Sequence, residues 1–315
     1  METNCSEWVC HYTRNLSHEK RGESLQLAID RLIHKVKNRA TDSQLPIEKQ
    51  LEMIDLLAGF ELGRFLLERG GFNGYWTDYL VRHPQRGSDT IFSNVLEDFL
   101  LNRAPTALAT QERFQIFKRE IQKRLGSNAA LASIPCGLMA DLFDLDFTQV
   151  SGISLTGIDL DSEAIEGASE RARQRGLSHC CQFFQREAWE LDLGAAFDFI
   201  ASNGLSIYEP DDAKVVALYE EFFKALKPGG YLITSFLSMP PFPGLKTGWK
   251  LNEVNLEDAL LQKFIFSDLL EAKWQIYRSE EEVKSQLEKA GFCDIEIVYD
   301  RAHIFPTIIG KKASC

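Results

Sequence analysis

The apolar positions of the chain change period near residue 126. Before it they recur at helical spacing. Leu25, Ile29, Leu32, Ile33 and Val36 share one side of a segment that Ser24 can cap, and Phe114, Phe117 and Ile121 form a stripe on another. The spacing predicts a helix from Ser24 to about Arg39 and a longer one opened by Pro46, running through Leu67 to a stop at Gly70-Gly71. It also predicts helix over residues 90 to 103, and a helix that Thr110 caps and Gly126 ends. Asn73-Gly74 reads as a turn, with Tyr75, Trp76 and Tyr79 clustered after it. Residues 1 to about 20 read as irregular. Residues 1–126 are thus expected to be a mostly helical extension.

Beyond residue 126 short apolar runs alternate with helical stretches. Leu131–Pro135, Ser154–Ile158, Cys181–Gln185, Phe197–Ser202 and Tyr231–Phe236 read as strands. Leu138–Leu145, Asp161–Arg175, Asp211–Leu226 and a helix opened by the Ser279-to-Glu282 capping box and closed at Gly291 lie between and after them. Lys227-Pro228-Gly229-Gly230 places proline before glycine, as a type II turn requires. Such alternation predicts a parallel, doubly wound sheet. The last two strands, about Asp294–Tyr299 and His303–Ile309, have no helix between them. They can pair only as neighbours, so one is expected to be antiparallel. Residues 237–278 form an insertion, proline-rich and then helical, carrying Trp249, Trp274 and Tyr277.

The stretch Leu131–Asp161 organises the rest. It reads strand, glycine-bearing turn, helix, strand, with an acid, Asp159, at the second strand's carboxyl end. Gly137 lets backbone approach a ligand closely, and the amides that follow face the same space. In open α/β sheets this edge is where ligands bind. A carboxylate there can accept both hydroxyls of a ribose, which suits a nucleoside-bearing cofactor. A full G-x-G-x-x-G is absent, since Pro135 and Met139 stand where glycines are expected.

Composition narrows the classes. The 315 residues carry 35 basic and 46 acidic side chains, a formal charge of -11, which argues against a nucleic-acid surface. No apolar run is long enough to span a membrane, and the start, METNCSEWVCHYTRN, lacks a signal pattern. The seven cysteines are irregularly spaced without C-x-x-C, so reduced thiols, a cytoplasmic setting and no metal are expected.

Six pieces, LASIPCGLMADL, LTGIDLD, FFQREAWEL, FDFIASNGLSIYEPDD, ALKPGGYLITSF and GFCDIEIV, carry a resemblance. In this order they resemble a class I S-adenosylmethionine-dependent methyltransferase over about residues 129 to 310. The chain is also similar to uncharacterised bacterial members with a helical N-terminal extension. The resemblance implies an α/β fold: a Rossmann-like doubly wound sheet of seven strands, the last pair giving one antiparallel strand, over residues 127–315. It implies S-adenosyl-L-methionine as cofactor and S-adenosyl-L-homocysteine as product. By this likeness Ile134, Pro135, Cys136 and Gly137 would pass under the methionine part. Asp159 would hold the ribose, Leu160 would lie against the adenine, and Glu187 and Ala188 would meet the adenine amine. Asn203 and Gly204 would sit beside the methionyl group.

The chain departs from the family at Ser133, where an acid often helps hold the cofactor's amino group, and at Met139, which replaces the loop's last glycine. Thr110 and Arg113 are candidates to supply the missing contacts, and Tyr75 and Trp76 to cap the cofactor. Each has a plainer reading: Asp159 and Asn203-Gly204 as turn residues, Cys136 as packing, Tyr75 and Trp76 as core of the extension. For a general base the candidates are Glu209, His83 and His303, where ordinary surface or core histidines are the alternative. The expected partner is a small-molecule acceptor, with no nucleic acid and no membrane. Two other functions share these features: a degenerate member that binds cofactor or a partner without transfer, and a nicotinamide-dependent oxidoreductase. The missing glycine fingerprint argues against the second.

Overall fold

Seven strands build one sheet in the order β3-β2-β1-β4-β5-β7-β6. The computed structural model describes residues 23–38, 45–87, 90–242, 244–272 and 275–314. The strands are β1 (Ala130–Ser133), β2 (Ser154–Asp159), β3 (Cys181–Gln185), β4 (Phe197–Ser202), β5 (Leu226–Ser235), β6 (Cys293–Val298) and β7 (Thr307–Lys311). The first five run parallel, and β7 is antiparallel to both β5 and β6. This is the seven-stranded, doubly wound sheet with one antiparallel strand that the alternation predicts. Side chains alternate between its faces. Ala132, Ile134 and Ile200 join one buried cluster, with Leu218 and Phe222 from the helix Asp212–Ala225. Leu131, Phe199 and Ala201 join another, with Ala168 and Ala172 from the helix Ser162–Gln174.

Numbered in chain order, the α-helices of the described residues are α1 (Leu25–Asn38), α2 (Ile47–Ala58), α3 (Glu61–Arg69), α4 (Gly74–Arg82), α5 (Val95–Asn102), α6 (Pro105–Arg124), α7 (Ala140–Phe143), α8 (Ser162–Gln174), α9 (Asp212–Ala225), α10 (Leu256–Lys263) and α11 (Glu280–Lys289). A π-helix, Phe264–Leu269, continues α10. Two compact units result. One comprises the chain up to Leu108 with Val254–Lys273, and the other Ala109–Glu253 with the chain from Trp274 on. The helical half of the 237–278 insertion therefore groups with the N-terminal helices. Residues 1 to 20, Arg39 and Trp274 lie outside the described residues.

Four expectations need correction. The helix from Pro46 to Leu67 is two helices, because α2 stops at Ala58. Asn94 donates its side-chain amide to the Leu56 carbonyl at 2.8 Å, and a Cβ at Gly59 would stand 2.9 Å from that nitrogen. Asn73-Gly74 is no free turn, since the Asn73 side chain accepts from Trp76 N at 2.8 Å and opens α4. Thr110 caps nothing. Helix α6 begins five residues earlier at Pro105, where a missing N–H costs nothing, and the Thr106 amide donates to Gln262 Oε1 at 2.7 Å. The cap thus comes from 156 residues away. Finally, β5 starts at Leu226 and not after the Lys-Pro-Gly-Gly turn, with an irregular register to β4 across that turn and Gly229 at φ +80°.

A candidate cofactor site at the strand ends

The order of the sheet reverses at β1, which lies between β2 and β4. The crevice beyond their carboxyl ends is where such sheets hold ligands. The backbone after β1 is laced to both neighbours. Ile134 N donates to Ala201 O at 2.9 Å and Cys136 N to Ile158 O at 2.9 Å. Gly137, at φ +48°, donates its N–H to Asp159 Oδ2 at 2.9 Å, and Asp161 N reaches Asp159 Oδ1 at 3.0 Å. Asp159 is buried yet ties the turn to the end of β2, with Leu160 half exposed beside it. The turn fits only because residue 157 is glycine: a Cβ there would lie 3.1 Å from Cys136 Sγ and 2.8 Å from the Phe183 ring. Cys136 itself is buried and packed, and burial and then Asp159 push its thiol well above its ordinary range, which disfavours the thiolate a nucleophile needs.

Met139 adopts φ +57° with its side chain fully buried. The left-handed conformation a glycine would adopt at little cost is kept here by packing. Two residues on, Asp141 is buried. Its Oδ2 accepts from Ser133 Oγ at 2.9 Å and its Oδ1 from Leu142 N at 3.0 Å. Burial raises its pKa to about 6, against the lowering by those hydrogen bonds. The sequence reading missed Asp141. The available signal was an acid eight residues after the serine that replaces the family's acid.

The neighbouring strand end carries a cation. Arg113, in α6, is 6 % exposed. It donates Nη1 to Ser235 Oγ at 3.2 Å and lies with Cζ 4.4 Å from the centre of the Phe305 ring, while Nε has no partner. Burial lowers its pKa to about 10, partly offset by the pull of Asp300 and Tyr208. It borders Gly204, at φ +81°, where a Cβ would come within 3.4 Å of Nη1. Asn203 Oδ1 is buried without a partner. The loop after β4 is held by Arg278, which donates to Ser206 O (2.8 Å), Glu209 O (2.6 Å) and Asp212 Oδ1 (2.9 Å). No sequence signal marked it.

The strand-end candidates Ile134 to Gly137, Asp159, Leu160, Asn203, Gly204 and Arg113 thus come together in the sheet unit, as do Glu187 and Ala188 past the end of β3. Glu187 Oε1 accepts from Ala188 N at 2.8 Å. Thr110 lies one turn from Arg113 on α6. Tyr75 and Trp76 belong to the helical unit, where Trp76 is buried against Phe65, Tyr75 and Tyr79. His83 is in that unit too, with Nε2 2.9 Å from Asn102 Oδ1. His303 lies in the β6–β7 connection, stacked on Tyr299 at 4.2 Å. Glu209 Oε1 accepts from Asp211 N at 2.9 Å. Among the described residues no cluster could hold a metal ion, and no helix is long and apolar enough to cross a membrane.

Comparison with known proteins places this geometry. Residues 89–291 match a family described as a methyltransferase domain. A crystallised protein of Bordetella parapertussis, described as a possible exported protein, is 38% identical, with TM-score 0.86 over 92% of this chain and 96% of its own. A demethylmenaquinone methyltransferase of Lactococcus lactis is 22% identical over 65% of this chain and 82% of its own. The magnesium protoporphyrin IX methyltransferase of Synechocystis, solved with bound S-adenosylhomocysteine, is 14% identical at TM-score 0.50 over 76% of this chain and 94% of its own, a likeness of fold alone.

Proposed function

We propose, from the premise that the chain belongs to the methyltransferase-domain family, that it transfers a methyl group from S-adenosyl-L-methionine to a small-molecule acceptor by in-line displacement. The observation that carries the reading is the buried Asp159, which holds the Gly137 amide at 2.9 Å and ends β2 at the switch point of the sheet. The residues present fit the cofactor. Asp159 places a buried carboxylate at the end of β2, where it would meet ribose hydroxyls, the half-exposed Leu160 offers an apolar face to an adenine, and Asn203 Oδ1 is a buried acceptor lacking a donor. Glu187 and Ala188 would meet the adenine amine, and Ile134 to Gly137 would back the methionyl chain.

Bound, the cofactor supplies a sulfonium-activated methyl group. The protein's part is then to align and to exclude water, and alignment alone can lower a barrier by about 7–11 kcal/mol. Glycine at 137 lets the turn after β1 take φ +48°, and the glycines at 157 and 204 leave room for Cys136 and Arg113 beside it. Arg278 fixes the loop after β4 that borders the site. A proton acceptor is required only if the acceptor atom is protonated.

Calorimetric titration with S-adenosylmethionine, S-adenosylhomocysteine and NADH tests the proposal. Binding of the two sulfur nucleosides and not of NADH is the expected result, followed by screening of acceptors with labelled methyl donor. Binding of NADH alone, or of none of the three, overturns it.

A further inference from the structure

The ends of β1 and β4 hold two buried charges of opposite sign, and neither is neutralised. Asp141 and Arg113 are each 6 % exposed. Among the described residues neither has an ion-pair partner: Asp141 is held by a hydroxyl and a backbone amide, Arg113 by a hydroxyl and an aromatic face. Charges removed from water are ordinarily paired, because isolated burial is costly. Both show that cost, the carboxyl in a raised pKa and the guanidinium in a lowered one. Neither lies on a strand: Asp141, in α7, is fastened to the end of β1, while Arg113, in α6, reaches Ser235 at the end of β5 and Gly204 just beyond β4, the strand between them. Ser133, which orients Asp141, is in register with Ala201, and three residues beyond Ala201 stands Gly204, which borders the Arg113 guanidinium. At the same strand end Asn203 Oδ1 lacks a donor and Arg113 Nε lacks an acceptor.

One buried anion, one buried cation, one orphan acceptor and one orphan donor make the complement of a zwitterion. We propose that Asp141 and Arg113 are the two jaws of a clamp for the α-amino-acid end of the cofactor. Asp141, oriented by Ser133, takes the ammonium together with Asn203, and Arg113 takes the carboxylate. The clamp rests on the proposed cofactor. It explains how a chain with serine at residue 133 holds the ammonium: the carboxylate has moved from the strand to the turn that follows it.

The test is calorimetry of the full chain with S-adenosylhomocysteine, its analogue lacking the amino group, and 5′-methylthioadenosine, which lacks the whole amino-acid end. With the unaltered protein, loss of the amino group is expected to weaken binding roughly tenfold or more, as for a hydrogen bond to a charged group. In Asp141→Asn, which keeps the side chain's shape, that difference shrinks severalfold, the remainder coming from Asn203, while 5′-methylthioadenosine binds both proteins alike. Equal loss for all three ligands in the variant, or an amino-group effect that survives it undiminished, overturns the clamp. So does an unaltered protein indifferent to the amino group, a result that needs no variant to fold. Failure of the cofactor reading is distinct, because then the unaltered protein binds none of the three.

Discussion

Replacing Asp141 by asparagine should stabilise the ligand-free protein above pH 6 and do nothing for it at pH 4. The carboxyl is buried with two hydrogen bonds and no counter-charge, and its pKa stands at about 6 against the usual 3.8. A folded-state value above the unfolded one means that the native state binds more protons between the two. The group's contribution to stability is therefore complete below about pH 3.8 and is lost as pH rises through about 6. The interval corresponds to on the order of 3 kcal/mol. Asparagine has no titration and can still accept from Leu142 N and donate to Ser133 Oγ. Asp300, whose carboxyl is also raised by burial, is common to both proteins and cancels in the difference. Because the chain forms two compact units, a global signal would mix their transitions. Hydrogen exchange of the β1 amides, corrected for the chemical rate at each pH, isolates the sheet unit. The variant should gain on the unaltered protein by about 2–3 kcal/mol between pH 4 and pH 7. A gap that stays constant across this range would refute the account of Asp141 as an uncompensated buried charge. Saturating S-adenosylhomocysteine should then narrow the gap at pH 7, since a ligand adds stability only in proportion to its affinity for the native state.

Other outcomes follow from the same geometry. Asp159→Ala should weaken S-adenosylhomocysteine binding by at least tenfold in calorimetry, since each hydrogen bond to a charged acceptor is worth ~1.5–3 kcal/mol; unchanged affinity would mean the ribose lies elsewhere. Met139→Gly relieves a left-handed backbone by about 1–2 kcal/mol but empties a buried methionine site worth about 2–5 kcal/mol. Net destabilisation of roughly 1–3 kcal/mol by exchange of β1 is expected, and a stabilised variant would show that strain outweighs packing. Arg278→Lys should loosen the loop after β4, because an ammonium cannot serve Ser206 O, Glu209 O and Asp212 together. Exchange of residues 204 to 211 should rise while that of β1 stays as it was.

How much of this could be read beforehand depended on whether the cause was local. Strands β3 and β4 fall at the bounds their apolar runs set, and the capping box at Ser279 forms as the spacing requires, since its two hydrogen bonds join residues three apart. Asp159 and Gly137 were legible because a strand, a turn and a strand fix where their ends must meet. Where the cause was distant, the reading went wrong. Nothing within residues 105 to 110 reveals that Gln262 caps α6, and nothing near Ala58 reveals that Asn94 ends α2. The same holds for Arg278, whose partners lie 66 to 72 residues away. Asp141 was missed for another reason. The hydrogen bond that defines it spans only eight residues, but a pattern search looks for a carboxylate at the strand end and does not ask which neighbouring residue could place one there.

Four unfavourable features gather at the ends of β1 and β4: a left-handed methionine, an unpaired buried carboxylate, an unpaired buried guanidinium and an amide oxygen without a donor. Core packing alone gives no reason for their coincidence, since an apolar residue at 141 and at 113 would serve the two clusters on the sheet's faces better. Two other buried charges of the sheet unit are better provided for. Arg278 meets a carboxylate and two carbonyls, and Asp300 accepts from three backbone amides. Among the described residues Asp141 and Arg113, by contrast, have no ion-pair partner. Strain and unmet polar groups that persist in a folded protein mark the place where something else completes them. At the switch point of a methyltransferase-domain sheet, a ligand carrying both an ammonium and a carboxylate would complete all but the methionine, whose burial already holds it.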